Sequence, residues 1–228
     1  MKIVMFAGAG AGGKTKLVEA TAAMAEERGL KVRTHFSTTR QTYAKYGFDK
    51  ETDALKDPDM NAKFQHQVLL DNLEAFKRAY REALDDKVDL LIADRTPHDY
   101  IAYYFTVFKD RLTLAMVQEK RDVADHALSE LWSSEMIGTA LHLFMLPFPA
   151  VWSTDTNSSD GWRADTTGKN LLWSNTLEAE LANIHRRLDQ QHWMSGHIKI
   201  ERLNTYFENG PPEVRAAGVL GTVFPNLI

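Results

Sequence analysis

Two short stretches hold residue types whose spacing could do chemistry. The first is Gly8-Ala9-Gly10-Ala11-Gly12-Gly13-Lys14-Thr15, preceded by the apolar run KIVMFA. It meets the pattern G-x-x-x-x-G-K-[ST] at every fixed position, between a strand-like and a helix-like segment. Gly8, Gly10, Gly12 and Gly13 allow successive backbone N–H groups, that of Ala11 among them, to turn inward around phosphate oxygens. The helix N-terminus beyond adds partial positive charge. Lys14 would neutralise β- and γ-phosphate charge, Thr15 would coordinate Mg²⁺ through its hydroxyl, and Lys16 would follow beside the same nucleotide. A glycine-rich turn that binds nothing is the bland alternative, and the agreement of motif and flanks speaks against it.

The second stretch is Asp94-Arg95, which ends the apolar run VDLLIAD. An acid at the carboxyl end of a buried strand stands where open α/β sheets place their sites. Asp94 could bind Mg²⁺ through water or take a proton from a substrate hydroxyl as a general base. NTPases that hydrolyse to drive motion commonly carry a second carboxylate beside this one, to activate water. Here the neighbour is Arg95, a cation suited to a transferring phosphoryl group, which favours transfer over hydrolysis. The structural alternative is a capping Asp paired to its neighbour.

The elements that must position these residues read clearly. Strand-length apolar runs recur at 2–7, 31–36, 88–94, 140–146 and 197–203. Between the first two, KTKLVEATAAMAEERG has helical composition and stops at Gly29. Phe64, Val68, Leu69, Leu73, Phe76, Tyr80 and Leu84 mark one face of a long helix. Further helices are predicted at about 97–108, 113–136 and 168–193, and a short docked one in the tail EVRAAGVLGTVF. Strands alternating with helices imply a mostly parallel sheet covered on both faces, an α/β fold. The segment 146–170, rich in Pro, Ser, Thr, Asp and Gly, reads as a long functional loop.

Composition narrows the class further. The 228 residues are 44% hydrophobic, enough to bury a sizeable core, and 1–228 is expected to be a single domain. There is no cysteine, which excludes disulfides and thiolate metal sites. No apolar run approaches the ~20 residues of a membrane helix, and the N-terminus reads as a strand entering a glycine loop, not as a leader. A cytoplasmic protein is expected, in the host cytoplasm if viral. A net charge of −4 gives no general attraction to nucleic acid, although a local basic patch is compatible with it. The eight histidines include no pair at H-x-x-x-H or H-E-x-x-H spacing.

The stretch DRTPHDYIAYY, 94–104, resembles the Asp-Arg-Ser/Thr-Pro-x-Asp-Tyr-x-Ala-Tyr signature of a family of small P-loop kinases. These are the AAA-like ATPase/kinase proteins related to the nicotinamide riboside kinase domain, and more distantly to thymidylate and deoxynucleoside kinases. Thr39-Arg40 is similar to an arginine-bearing position near the acceptor in that family, and Asp160-Gly161-Trp162-Arg163 resembles its lid motif, Asp-Gly-x-Arg. The resemblance implies a nucleoside/nucleotide-kinase-like three-layer P-loop fold with a five-stranded parallel core and a lid at about 146–170. It implies ATP and Mg²⁺, with Arg163 closing onto the γ-phosphoryl group. The acceptor would be a nucleobase-containing molecule, met by Arg40, Arg95, His98, Asp99, Tyr100 and Trp162. Tyr103 and Tyr104 read as core residues at helical spacing.

Three functions follow as expectations. The first is an ATP-dependent phosphotransferase acting on a nucleoside or nucleotide. The second keeps the chemistry but takes 5-hydroxymethyluracil-type bases in DNA, as bacteriophage relatives of these kinases do. Trp152, Trp162 and Trp173 around the loop could stack on a flipped base, or clasp the loop to the body. The third is a nucleotide-binding switch or regulatory ATPase.

Overall fold

The run KIVMFA forms β1 (Lys2–Ala7), and all but its first residue are buried. Continuous burial suits a strand covered on both faces. In the computed structural model, which describes residues 1–8, 13–49, 51–54, 56–131, 140–146, 167–188, 198–202 and 210–226, β1 is the middle of a sheet. Its partners are β2 (Val32–His35), β3 (Leu90–Ala93), β4 (Ala140–Met145) and β5 (Ile198–Arg202). The five strands run in the order β2-β3-β1-β4-β5. Every neighbouring pair is parallel, with Met5 opposite Ala93 and Ala7 opposite Met145.

Parallel neighbours need crossovers, and the helices supply them. α1 (Lys14–Glu27) joins β1 to β2. α2 (Thr39–Lys45), α3 (Glu51–Ala54) and α4 (Pro58–Asp85) lie between β2 and β3. α5 (Pro97–Val107) and α6 (Leu114–Leu131) precede β4, α7 (Thr167–Leu188) precedes β5, and α8 (Pro212–Val223) follows it. Alternation along β1 divides the core. Ile3 and Met5 pack with Phe76, Tyr103, Trp173 and Leu177 on one face. Val4 and Phe6 pack with Leu17, Val18, Val219 and Leu220 on the other. The result is an α/β sandwich of three layers.

All five predicted strands are present within two residues of the expected bounds. The long helix extends N-terminally beyond its apolar stripe because Asp57 accepts from the N–H groups of Asp59 and Met60, with Pro58 in the first turn. α2 and α3 were not anticipated. They are too short to declare a period and are held by tertiary packing, as where Tyr43 meets the Phe64 ring edge-on at 4.4 Å between centroids. Most of the predicted 146–170 loop lies outside the described residues. Among the described residues no helix is long and apolar enough to cross a membrane.

Candidate active site

Because all the strands point one way, their carboxyl ends converge on one edge of the sheet. Gly8 follows β1, Ser37 stands just beyond β2, Asp94 follows β3, and Leu146 follows β4. A cleft enclosing ≈ 300 Å³ up to its open mouth lies here, lined by Met5, His35, Asn72, Leu73, Phe76, Asp94, Arg95, Thr96, Pro97 and Tyr100. Its walls combine apolar side chains with a few fixed polar groups.

The polar groups form one network. Asp94 is 8% exposed, and its Oδ1 accepts from the Ser37 N–H at 2.8 Å. Its Oδ2 has no hydrogen bond to the described residues. The Tyr100 hydroxyl donates to Ser37 Oγ at 3.0 Å, and Ser37 Oγ donates to Asn72 Oδ1 at 3.1 Å. Asn72 Oδ1 also accepts from the Thr38 N–H at 2.7 Å, while its Nδ2 donates to the Val68 carbonyl. Burial pushes the Tyr100 phenol well above its ordinary pKa, against the pull of Arg95, so it stays a proton donor at neutral pH. His35 meets Phe76 edge-on at 5.5 Å. Burial lowers its pKa and Asp94 offsets part of that, which leaves a neutral ring in the wall.

Arg95 is held by rings. Its guanidinium carbon lies 5.2 Å from the centroid of Trp173 and 5.7 Å from that of Tyr100. Burial works against its charge, but Tyr100, Asp99, Asp94 and Tyr103 outweigh that and its pKa is raised. Among the described residues it makes no ion pair, so its forked donors are not committed to a carboxylate.

The glycine motif is described at its two ends. Gly8 donates its N–H to Asp99 Oδ1 at 3.0 Å, and a Cβ on it would come 3.3 Å from the Leu146 Cβ. Lys14 is 6% exposed and donates from Nζ to the Gly8 carbonyl at 2.5 Å, so it bridges the ends of the loop. Gly13, at φ +73°, caps α1 in the left-handed region that favours glycine. Thr15 and Lys16 are exposed in the first turn of α1. Two glycines at sterically demanding positions, a buried ammonium between them and a helix start together fit a polyphosphate. Gly10, Ala11 and Gly12 lie outside the described residues, as do Trp152, Asp160, Gly161, Trp162 and Arg163.

Not every predicted acceptor residue reaches the cleft. Arg95 and Tyr100 line it, whereas His98 and Asp99 lie beneath it, both fully buried. Asp99 builds the start of α5: Oδ2 accepts from the N–H and hydroxyl of Thr96, in a capping box with Thr96 as N-cap. Since its Oδ1 takes the Gly8 N–H, one carboxylate joins α5 to the glycine loop. His98 Nε2 pairs with Asp125 Oδ1 at 3.0 Å, towards α6. Arg40 is exposed on α2 and does not line the cleft. Trp173 is a clasp: it is 5% exposed, donates from Nε1 to the Asp99 carbonyl at 3.0 Å, and packs edge-on against Tyr103. Sequence reading missed His35, Ser37 and Asn72. Asn72 carried a signal, since it is an amide on the apolar stripe four residues after Val68.

No family model matches the chain, and no curated protein does. Among solved structures the chain is similar to deoxyadenosine kinase from M. mycoides with bound dCTP, at 12% identity, 97% of this chain and 100% of that one covered, and a TM-score of 0.49. It is also similar to deoxyadenosine kinase from M. mycoides with bound dATP, at 12% identity, 98% and 99% covered, and a TM-score of 0.43. Function has to be read from the site itself.

Proposed function

We propose that the protein is an ATP- and Mg²⁺-dependent phosphotransferase that moves the γ-phosphoryl group to a nucleoside- or nucleotide-type acceptor seated in the cleft. The observation that carries this reading is that Asp94 and Arg95 share the wall of one cleft at the strand end beside the glycine motif. Lys14 and the helix start hold the triphosphate. Thr15 is the candidate Mg²⁺ ligand, with Asp94 reaching the ion only through water, and the ion's chemistry would be to neutralise charge developing on the phosphoryl oxygens. Asp94, with Oδ1 fixed by Ser37, offers Oδ2 to the acceptor hydroxyl as general base. Arg95, held near the Tyr100 and Trp173 rings, stabilises the same developing charge. Leu73, Phe76 and Met5 supply apolar surface for a base, and the Ser37–Asn72–Tyr100 network supplies its polar edge.

The test is transfer from γ-labelled ATP, with Mg²⁺, to free nucleosides, nucleoside monophosphates, and DNA with and without hydroxymethylpyrimidines. Label on a small molecule that disappears in Asp94→Ala supports the reading. Label only on modified DNA would move the acceptor to the polymer. ATP consumption needing no acceptor would replace the transferase with a regulatory ATPase.

A further inference from the structure

The motifs leave one cation beside the glycine loop unexplained. Arg215 lies in the first turn of α8, whose residues Ala216, Val219 and Leu220 pack against Leu17, Val18 and Ala22 of α1. The far end of α8 is anchored as well, since Lys2 Nζ donates to the Val223 carbonyl and lies 4.5 Å from the centroid of the Phe224 ring. This docking sets Arg215 against the end of the glycine motif. A Cβ built on Gly13 would come 3.0 Å from Arg215 Nη2.

The guanidinium is partly buried yet uncompensated. Its Nε is shielded from solvent and has no hydrogen-bond partner, and among the described residues it has no carboxylate partner. Burial depresses its pKa, and among the described residues no acid restores it. A cation partly shielded from water without an anion is costly, and buried charges are normally paired, so a phosphate from outside would supply the missing partner. The adjoining loop end is built for a polyanion.

We infer that Arg215 binds the phosphate chain of the donor nucleotide, as a second cationic arm supplied by the C-terminal helix and lying outside the glycine motif. This rests on reading the motif as a nucleotide site. Lys14 then meets the phosphates from within the loop, and Arg215 meets them from the α8 side through a forked donor set.

Calorimetric titration of the full chain in Mg²⁺ tests this, with ATP and base-free inorganic tripolyphosphate as probes. Arg215→Gln should weaken both by about 10- to 100-fold, the range for a hydrogen bond to a charged group. Arg215→Lys should recover part of the loss. The melting temperature of the unliganded Gln variant should equal or exceed that of the wild type, because a partly buried charge has been removed. A lowered value would count against the proposal, by revealing a structural partner. Unchanged affinity in Arg215→Gln would overturn it, and so would a loss for ATP without one for tripolyphosphate, which would place Arg215 at the base. Binding of neither probe by the wild type would remove the nucleotide site and this proposal together. The expected Arg215 losses in a chain that transfers no phosphate would support Arg215 and sink only the transferase.

Discussion

Arg95 and Arg215 flank the same glycine motif from opposite faces of the sheet, and their charges are kept out of water in different ways. Arg95 lies between the Trp173 and Tyr100 rings, with Asp94 and Asp99 close enough to raise its pKa. Arg215 has burial and, among the described residues, no offsetting acid, so its pKa falls. The first environment is prepaid by the protein, and the second is left for a ligand to complete. That difference suits the roles proposed for them. A group that stabilises a transition state must be in place before the reaction, because reorganisation then would cost rate. A group that binds substrate can gain its compensation on binding.

The largest expected effect removes the chemistry from the Arg95 side. Asp94→Asn should lower the transfer rate by about 10²- to 10⁴-fold, the usual value of a positioned general base, with ATP affinity retained. Steady-state kinetics beside calorimetry check this, and a normal rate in the variant would end the assignment. Arg95→Ala should lose about 10²- to 10³-fold in rate, as for one donor to developing charge. Arg95→Lys should recover little of it, since an ammonium lacks the planar, forked donor set of a guanidinium. The same Arg95→Ala should cost the unliganded protein about 1–2 kcal/mol through lost ring contacts, whereas Arg215→Gln should cost none. Equal melting temperatures for the two variants would erase the contrast.

Smaller effects probe the support beneath. Asp99→Ala removes three hydrogen bonds to buried donors, including the tie to Gly8, and should destabilise by about 2–4 kcal/mol in denaturant titration. Trp173→Phe keeps an aromatic face and loses the Nε1 bond to the Asp99 carbonyl, for about 1 kcal/mol and a modest loss of rate. A last expectation concerns pH. His35, His66 and His142 all have pKa values lowered by burial from the ordinary 6.5. Below that value the unfolded chain binds more protons than the folded one. Their contribution is therefore complete above pH 6.5 and drains as pH falls through the lowered values. Melting temperatures between pH 7.5 and about 5 should decline, and His35→Phe should flatten part of the slope.

How much of this was legible beforehand depends on how far apart in the chain the cooperating groups lie. The glycine motif and Asp94-Arg95 could be read directly, because each is contiguous and its chemistry depends on neighbouring residues. The inner strands β1 and β3 were readable for the same reason, since burial on both faces demands near-continuous apolar runs, whereas the edge strands β2 (VRTH) and β5 (IKIER) showed only scattered apolar residues. Asn72 was half legible, as a polar residue on an apolar stripe. His98 and Asp99 show how local reading fails. They adjoin Arg95 in sequence, but helical rotation turns them under the cleft, where Asp99 caps α5 and holds Gly8.

By itself the sequence determined the main element types, the glycine motif at the start of a helix and the acid–cation pair at a strand end, all products of local spacing. Only the tertiary structure decided that Ser37, Asn72 and Tyr100 share one network, that Trp173 closes over Arg95, and that Arg215 arrives at Gly13. These meetings follow from the strand order β2-β3-β1-β4-β5 and from the packing of α7 and α8 on opposite faces of the sheet. Side chains far apart in the chain come together only through the burial of apolar faces that contain none of the chemistry, so no local pattern announces them.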